Sequence, residues 1–321
     1  MKNEYRKLIS FGKSSYVISL PKAWVNQNQL KKGDLIYFDE KEKDLILSTG
    51  TNLSEDKEIT IPVDGKSIRR LQREIISAYI KDYKSITLIG NEIKSKAKDI
   101  QNTIQNLMAL EVMEQTSSKI VAKDFLDMNN ISIFNLLRKM DVIIRAMIED
   151  CEKMFDEDNY ENIFHRDHDV NRLSFLIFRI VEFGLKNSSF VYKKYKLDSR
   201  NILHLWWFAF NMETIADEVK RIARYMAKAK LSDKEKKRFL KLFTEVRLSY
   251  LDVMKSFHNR DEELTHKVLE RKEEIIKECE LFYLDNQSKE FSGLMVERLK
   301  SMLNLVHNTG RIVYQYGFTE E

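Results

Sequence analysis

The chain is poor in residues that interrupt helices. Its 321 residues include two prolines and nine glycines, the two weakest helix formers, so long unbroken helices are expected. Only two cysteines occur, Cys151 and Cys279, without CxxC or zinc-finger spacing. That excludes a disulfide framework, and both read as reduced, buried thiols on helices. No apolar run approaches the roughly 20 residues of a membrane-spanning helix; the longest, Ile202 to Phe210, is interrupted by His204. Lys2, Glu4, Arg6 and Lys7 leave no apolar core for a signal peptide. These absences predict a cytoplasmic protein with no membrane insertion. P-loop, GxGxxG and HExxH motifs are missing as well, as are Ser/His/Asp and Cys/His arrangements, so no enzyme is expected.

What is present describes a folded chain. Hydrophobic residues at 43% and charged residues at 32% fit a globular protein rather than a disordered one, and the length suits two or three domains. The net charge of +4 conceals an uneven distribution. From Met1 to Gly33 seven cations (Lys2, Arg6, Lys7, Lys13, Lys22, Lys31, Lys32) stand against Glu4 alone. From Asp34 to Asp44 the sign reverses, with five carboxylates against Lys41 and Lys43. A local cationic excess of this kind marks a polyanion-binding surface.

Three rhythms divide the chain. Residues 1–50 alternate in the strand manner, with a turn at Gly12–Ser15, a stop at Pro21, a short helix around Trp24 and a tight turn at Gly33-Asp34. Such a short unit has too little core to be stable alone. Residues 55–126 read as βαβαββ, a small α+β layer with helices on one face of a mixed sheet, expected to serve as a spacer or a second dimer contact. Residues 130–317 are helical throughout. Six helices are predicted, beginning near residues 133, 160, 199, 232, 261 and 288, which suggests two three-helix bundles from an internal duplication.

One helical motif could carry chemistry. Glu213 and Asp217 are four residues apart, share a helix face, and sit among Phe208, Phe210, Met212, Ile215, Ala216 and Val219. Such oxygen ligands suit a divalent metal or iron. A solvated acidic stripe neutralised by Lys220, Arg221 and Arg224 explains the same letters, and the residues alone favour it. For His165, Asp167, His168 and Asp169 the competing readings are a metal corner and a charged helix start, and the helix start is favoured. Trp206, Trp207, Phe208 and Phe210 are expected in the bundle core, with a ligand pocket or partner patch as the lesser reading.

Two resemblances add to this. Residues 5–48, with the basic start Arg6-Lys7, an apolar strand ending at Leu20-Pro21, the helix at Trp24 and the Lys31–Asp34 turn, resemble the swapped-hairpin AbrB/SpoVT/MazE family of DNA-binding domains. The resemblance implies dimerisation by strand exchange. Two-stranded ribbons can enter a major groove, and the contacts expected are Arg6, Lys7, Lys13 and Lys22, with Ser14, Ser15 and Tyr16 beside them. The sequence from Glu213 to Ala223, ETIADEVKRIA, is similar to the ExxxD signature of PhoU proteins, regulators of phosphate uptake. That likeness covers roughly 130–317 and implies two three-helix bundles, each with an acidic helix able to hold metal ions. At the matching point of the second repeat stand Asn304 and Asn308, and amides are poor ligands for a cationic cluster, so the second site is expected to be lost.

The combination resembles archaeal PhoU-like regulators. It implies a DNA-binding regulator of phosphate homeostasis, homodimeric or larger, whose helical body senses or transmits the signal. The alternative is an adaptor that acts by protein contact on a phosphate transporter component or sensor kinase, its front domain serving only to dimerise.

Overall fold

The computed structural model describes residues 5–41, 44–49 and 57–316; Lys2, Glu4, Glu42 and Lys43, counted above, lie outside them. The chain forms two compact units, Met1–Glu55 and Asp56–Glu321.

The described residues of the first unit form two hairpins and one short helix. Strands β1 (Ile9–Phe11) and β2 (Ser15–Val17) pair antiparallel, with Ser10 opposite Tyr16. Gly12 enters their turn at φ +71°, a conformation that glycine adopts without steric cost. Pro21 precedes helix α1 (Lys22–Gln27), where its missing N–H is harmless. The next turn is closed by the Asp34 carboxylate, which accepts from the Lys31 N–H at 2.7 Å, with Gly33 at φ +99°. Strands β3 (Tyr37–Lys41) and β4 (Asp44–Ser48) then form a second antiparallel pair. None of the residues of this unit whose side chains are described is buried, and Leu8, Ile9, Phe11, Tyr16, Leu35, Phe38 and Leu45 are all exposed.

The second unit begins with the βαβαββ layer: β5 (Glu58–Pro62), α2 (Ile68–Ile80), β6 (Ser85–Ile89), α3 (Ile93–Gln105), β7 (Leu110–Gln115) and β8 (Lys119–Asp124). The sheet order is β5-β6-β8-β7; β5 and β6 are parallel and the remaining pairs antiparallel. Ser67 caps α2 by accepting from the Arg70 N–H. Ile61, Val63, Leu71, Ile75, Ile86, Leu88, Ile100 and Ile104 make its core.

Seven helices follow: α4 (Ile133–Glu152), α5 (Tyr160–Lys186), α6 (Ser188–Tyr195), α7 (Ser199–Met226), α8 (Asp233–Asn259), α9 (Glu262–Asp285) and α10 (Ser292–Tyr316). Helices α4, α5 and α7 pack as one three-helix bundle and α8, α9 and α10 as another, joined by α7 against α10 and α4 against α8. One continuous apolar core runs through both. Ser232 and Glu235 form a capping box at the start of α8. Helix α6 was not anticipated from the sequence. It is held on the 3-10 turn Met128–Asn130 and the residue after it, where Lys194 donates to the Met128 carbonyl and the Tyr195 hydroxyl to that of Ile131. Both cysteines are free and buried, and burial raises the Cys279 thiol to about 11.

A buried charge cluster joins the α+β layer to the bundles. Arg179 of α5 has no exposed surface. Its guanidinium donates to Asp82 Oδ1 at 2.7 Å and to Asp124 at 2.5 and 2.9 Å, and lies 4.6 Å from the centre of the Tyr79 ring. Lys84 adds a second cation, 2.9 Å from Asp124. Removing one partner from a buried ion pair leaves an uncompensated charge, so Arg179→Met is predicted to lower the unfolding free energy by about 3–5 kcal/mol in a denaturant titration. The combination Arg179→Met/Asp124→Asn, which leaves Lys84 paired with Asp82 at 3.2 Å, should recover much of that loss; an equal or larger loss would show that packing, not charge, is at stake.

Candidate nucleic-acid interface and carboxylate cluster

The residues expected to meet DNA fall into three places. Lys13 and Ser14 lie in the β1–β2 turn, and Ser15 and Tyr16 follow on β2, so the hairpin brings these four together. Arg6 and Lys7 precede β1, away from that turn. Lys22 opens α1. All seven side chains are exposed. Among the described residues Lys7, Lys13 and Lys22 take part in no ion pair, so their charge stays available to a polyanion. Lys31 and Lys32 belong to the Asp34 turn, and the Asp34 carboxylate there is bound to the Lys31 backbone rather than to either ammonium.

The carboxylate motif lies on α7, which Asp198 caps through the Asn201 N–H. Glu213 and Asp217 share a face, as the spacing requires, but the cations beside them are already engaged. Lys220 Nζ sits 2.7 Å from Asp217 Oδ1 and 2.5 Å from Asp167 Oδ2, and Arg221 binds the other Asp217 oxygen at 2.8 Å. Arg221 also holds Glu218, which is buried and approached by Arg298 of α10. A metal bridging Asp167 and Asp217 would need the place that the Lys220 ammonium fills. The residues present therefore do not fit a metal cluster, and the expectation of a divalent metal or iron at Glu213 and Asp217 gains no support from this donor set. Among the described residues no group of three or more His, Cys, Asp or Glu is arranged to hold a metal ion.

Asp167 departs from the reading of the His165–Asp169 stretch as a charged helix start. His165 is exposed near Glu161, and His168 packs edge-on against Phe164, but Asp167 is buried. Its place in the apolar register of Ile163, Val170 and Leu173 was the signal available in the sequence. Burial pushes its carboxyl upward, opposed by Lys220. Asn171 donates weakly to it at 3.4 Å.

The aromatic run also departs from expectation. Phe208 is buried, but Trp206, Trp207 and Phe210 are 39%, 43% and 43% exposed. A stretch as apolar as Ile202 to Phe210 covers every face of a helix, and α7 buries only the one carrying Ile202, Leu205, Phe208, Ala209 and Met212. Trp206 stacks on Phe210 with ring centres 5.8 Å apart and leans on Phe178 of α5. Asn304 and Asn308 sit on α10, the helix packed antiparallel to α7, as the contacts Tyr225–Phe291 and Glu218–Arg298 show.

Two family models match segments of this architecture. Residues 137–226 match the model of the PhoU domain, from within α4 to the end of α7 and including Glu213 and Asp217. Residues 9–61 match that of antidote-toxin recognition MazE, bacterial antitoxin, from β1 into β5. The chain thus joins a MazE/AbrB-type domain to a PhoU domain, the architecture implied by the residue resemblance. Comparison with curated proteins gives no match.

Glu213 supplies a test of the cluster. Its carboxyl is raised above the ordinary glutamate range by burial, and by the like charges of Asp217 and Asp167. A raised carboxyl favours the fold while protonated; that contribution is lost as pH rises through the folded-state value. Glu213→Gln should therefore raise the melting temperature at neutral pH, and the gain should vanish as the buffer is acidified through the glutamate range. A variant less stable than the parent at neutral pH would contradict this.

Proposed function

We propose that the chain is a homodimeric DNA-binding regulator of phosphate homeostasis, in which the helical body transmits a signal to paired N-terminal ribbons. The observation that carries this reading is the joining of a PhoU domain to a cationic module in which no described side chain is buried. A module without a core of its own is stable only when another surface covers its apolar side chains, and a second copy exchanging strands would do so. Arg6, Lys7, Lys13 and Lys22 would then bind phosphates, and Ser14, Ser15 and Tyr16 would reach into a groove. No helix among the described residues is long and apolar enough to cross a membrane, so any action on transport would go through DNA or through contact with another protein.

One observation favours a second reading. The matched N-terminal family is described by recognition of a protein, a toxin, and the β1–β2 turn offers Lys13 as its single cation. On that reading the body contacts a transporter component or sensor kinase, and the front module only dimerises.

Fluorescence anisotropy with a random-sequence duplex separates the two. DNA binding should weaken steeply with salt, and Lys7→Ala/Lys13→Ala should reduce the log–log slope by about 0.9 for each phosphate that is no longer neutralised. Absent or salt-insensitive binding, or binding unchanged in the variant, favours the adaptor.

A further inference from the structure

The two edges of the four-stranded sheet are treated differently. At one edge, β7 carries a bulge between Val112 and Glu114 and exposes the charged Glu111 and Glu114, devices that discourage further strand pairing. At the other edge, β5 pairs only with β6 among the described residues. Val63 N–H donates to the Ile89 carbonyl and the Lys57 carbonyl accepts from Lys84 N–H. In a parallel ladder the bonding residues alternate, so the N–H and C=O of Glu58 and Thr60 point outward. This edge is open.

Beside it runs a groove of about 380 Å³ between β5 and α2. Its floor is apolar, made by Ile59, Ile61 and Ala78, and its walls carry Lys66, Arg70, Arg73 and Lys81 with Glu74 as the one acid. Glu74 is already bound by Lys66 at 2.5 Å and Arg70 at 2.9 Å. Arg73 and Lys81 take part in no ion pair among the described residues. The groove therefore combines unpaired strand backbone, an apolar floor and an excess of positive charge.

We propose that this groove binds an extended acidic peptide segment of a partner protein, added as a strand to β5. Main-chain bonds to Glu58 and Thr60 would supply affinity, and carboxylates meeting Arg73 and Lys81 would supply selectivity. A second copy of this chain suits the site poorly. Antiparallel pairing of β5 with itself about Thr60 would set Glu58 opposite Pro62, which has no N–H, and would bring two cationic helices together.

The test uses the full chain and a fluorescein-labelled octapeptide of alternating glutamate and valine. Saturable binding is expected, weakened about tenfold in Arg73→Ala/Lys81→Ala and abolished when alternate backbone nitrogens of the peptide are methylated. Both substituted residues are exposed, so the variant should fold as the parent does. The methylated probe also tests the parent protein directly. Equal binding of the methylated peptide would show attraction by charge alone and overturn strand addition. Binding unchanged in the variant would place the peptide elsewhere and overturn the site. No binding at all would mean that the cations only guard a free edge, and ATP binding there in place of the peptide would assign the groove to a small polyanion. Either result overturns the proposal.

Discussion

Arg179 is enclosed between Asp82 and Asp124, and a charge buried at that depth is tolerable only when its partners are fixed in place. Those partners come from the turn after α2 and the end of β8, while Arg179 comes from the C-terminal half of α5. The cluster therefore dictates how the α+β layer meets the bundles. Tyr79 completes the enclosure: its ring faces the guanidinium, its hydroxyl donates to the Met108 carbonyl, and burial pushes that hydroxyl up to about 12. Neither the layer nor the bundle can shift without exposing or orphaning charge. A signal received by the helical body would consequently be carried by the layer as part of one piece.

The same economy of charge appears within the bundles. Asp141 is buried between α4 and α8 and accepts from Arg145 and from the Tyr250 hydroxyl, with His258 at 3.4 Å. Asp167, Asp217 and Glu218 are each met by Lys220, Arg221 or Arg298. Asp217 and Glu218 of the acidic helix are thus met by ammonium and guanidinium groups of their own chain, whereas Glu213 makes no ion pair among the described residues. The N-terminal unit is the opposite case. Many of its apolar side chains, Leu8, Ile9, Phe11, Tyr16, Leu35, Phe38 and Leu45 among them, are exposed, and Lys7, Lys13 and Lys22 meet no carboxylate among the described residues.

Much of the fold was legible because the signals are local. Period-two and helical spacing located the strands and helices of the second unit closely, since each buries one continuous face. Capping residues such as Ser67, Ser132 and Ser232 mark helix starts as their chemistry requires. Helix α6 was hidden because it is short and is held by long-range bonds from Lys194 and Tyr195. At the carboxylate cluster, Glu213 and Asp217 were readable from spacing, but Asp167 stands on a different helix and is tied to Asp217 only through Lys220. Arg179 offered one clue, a cation inside the apolar stretch from Leu173 to Val181. Its two carboxylates lie 97 and 55 residues away, and no local pattern connects them. The aromatic run shows a converse limit: apolarity alone does not say which face of a helix the rest of the fold will cover.

Regulation through DNA requires that the N-terminal unit be completed by a second copy and bind the duplex in that form. Native mass spectrometry of the full chain, alone and with one equivalent of a short duplex per two chains, tests this most directly. The expected result is a dimer that persists on dilution and a complex of two chains on one duplex. A monomer with a folded N-terminal unit, or a duplex carrying a single chain, would contradict it.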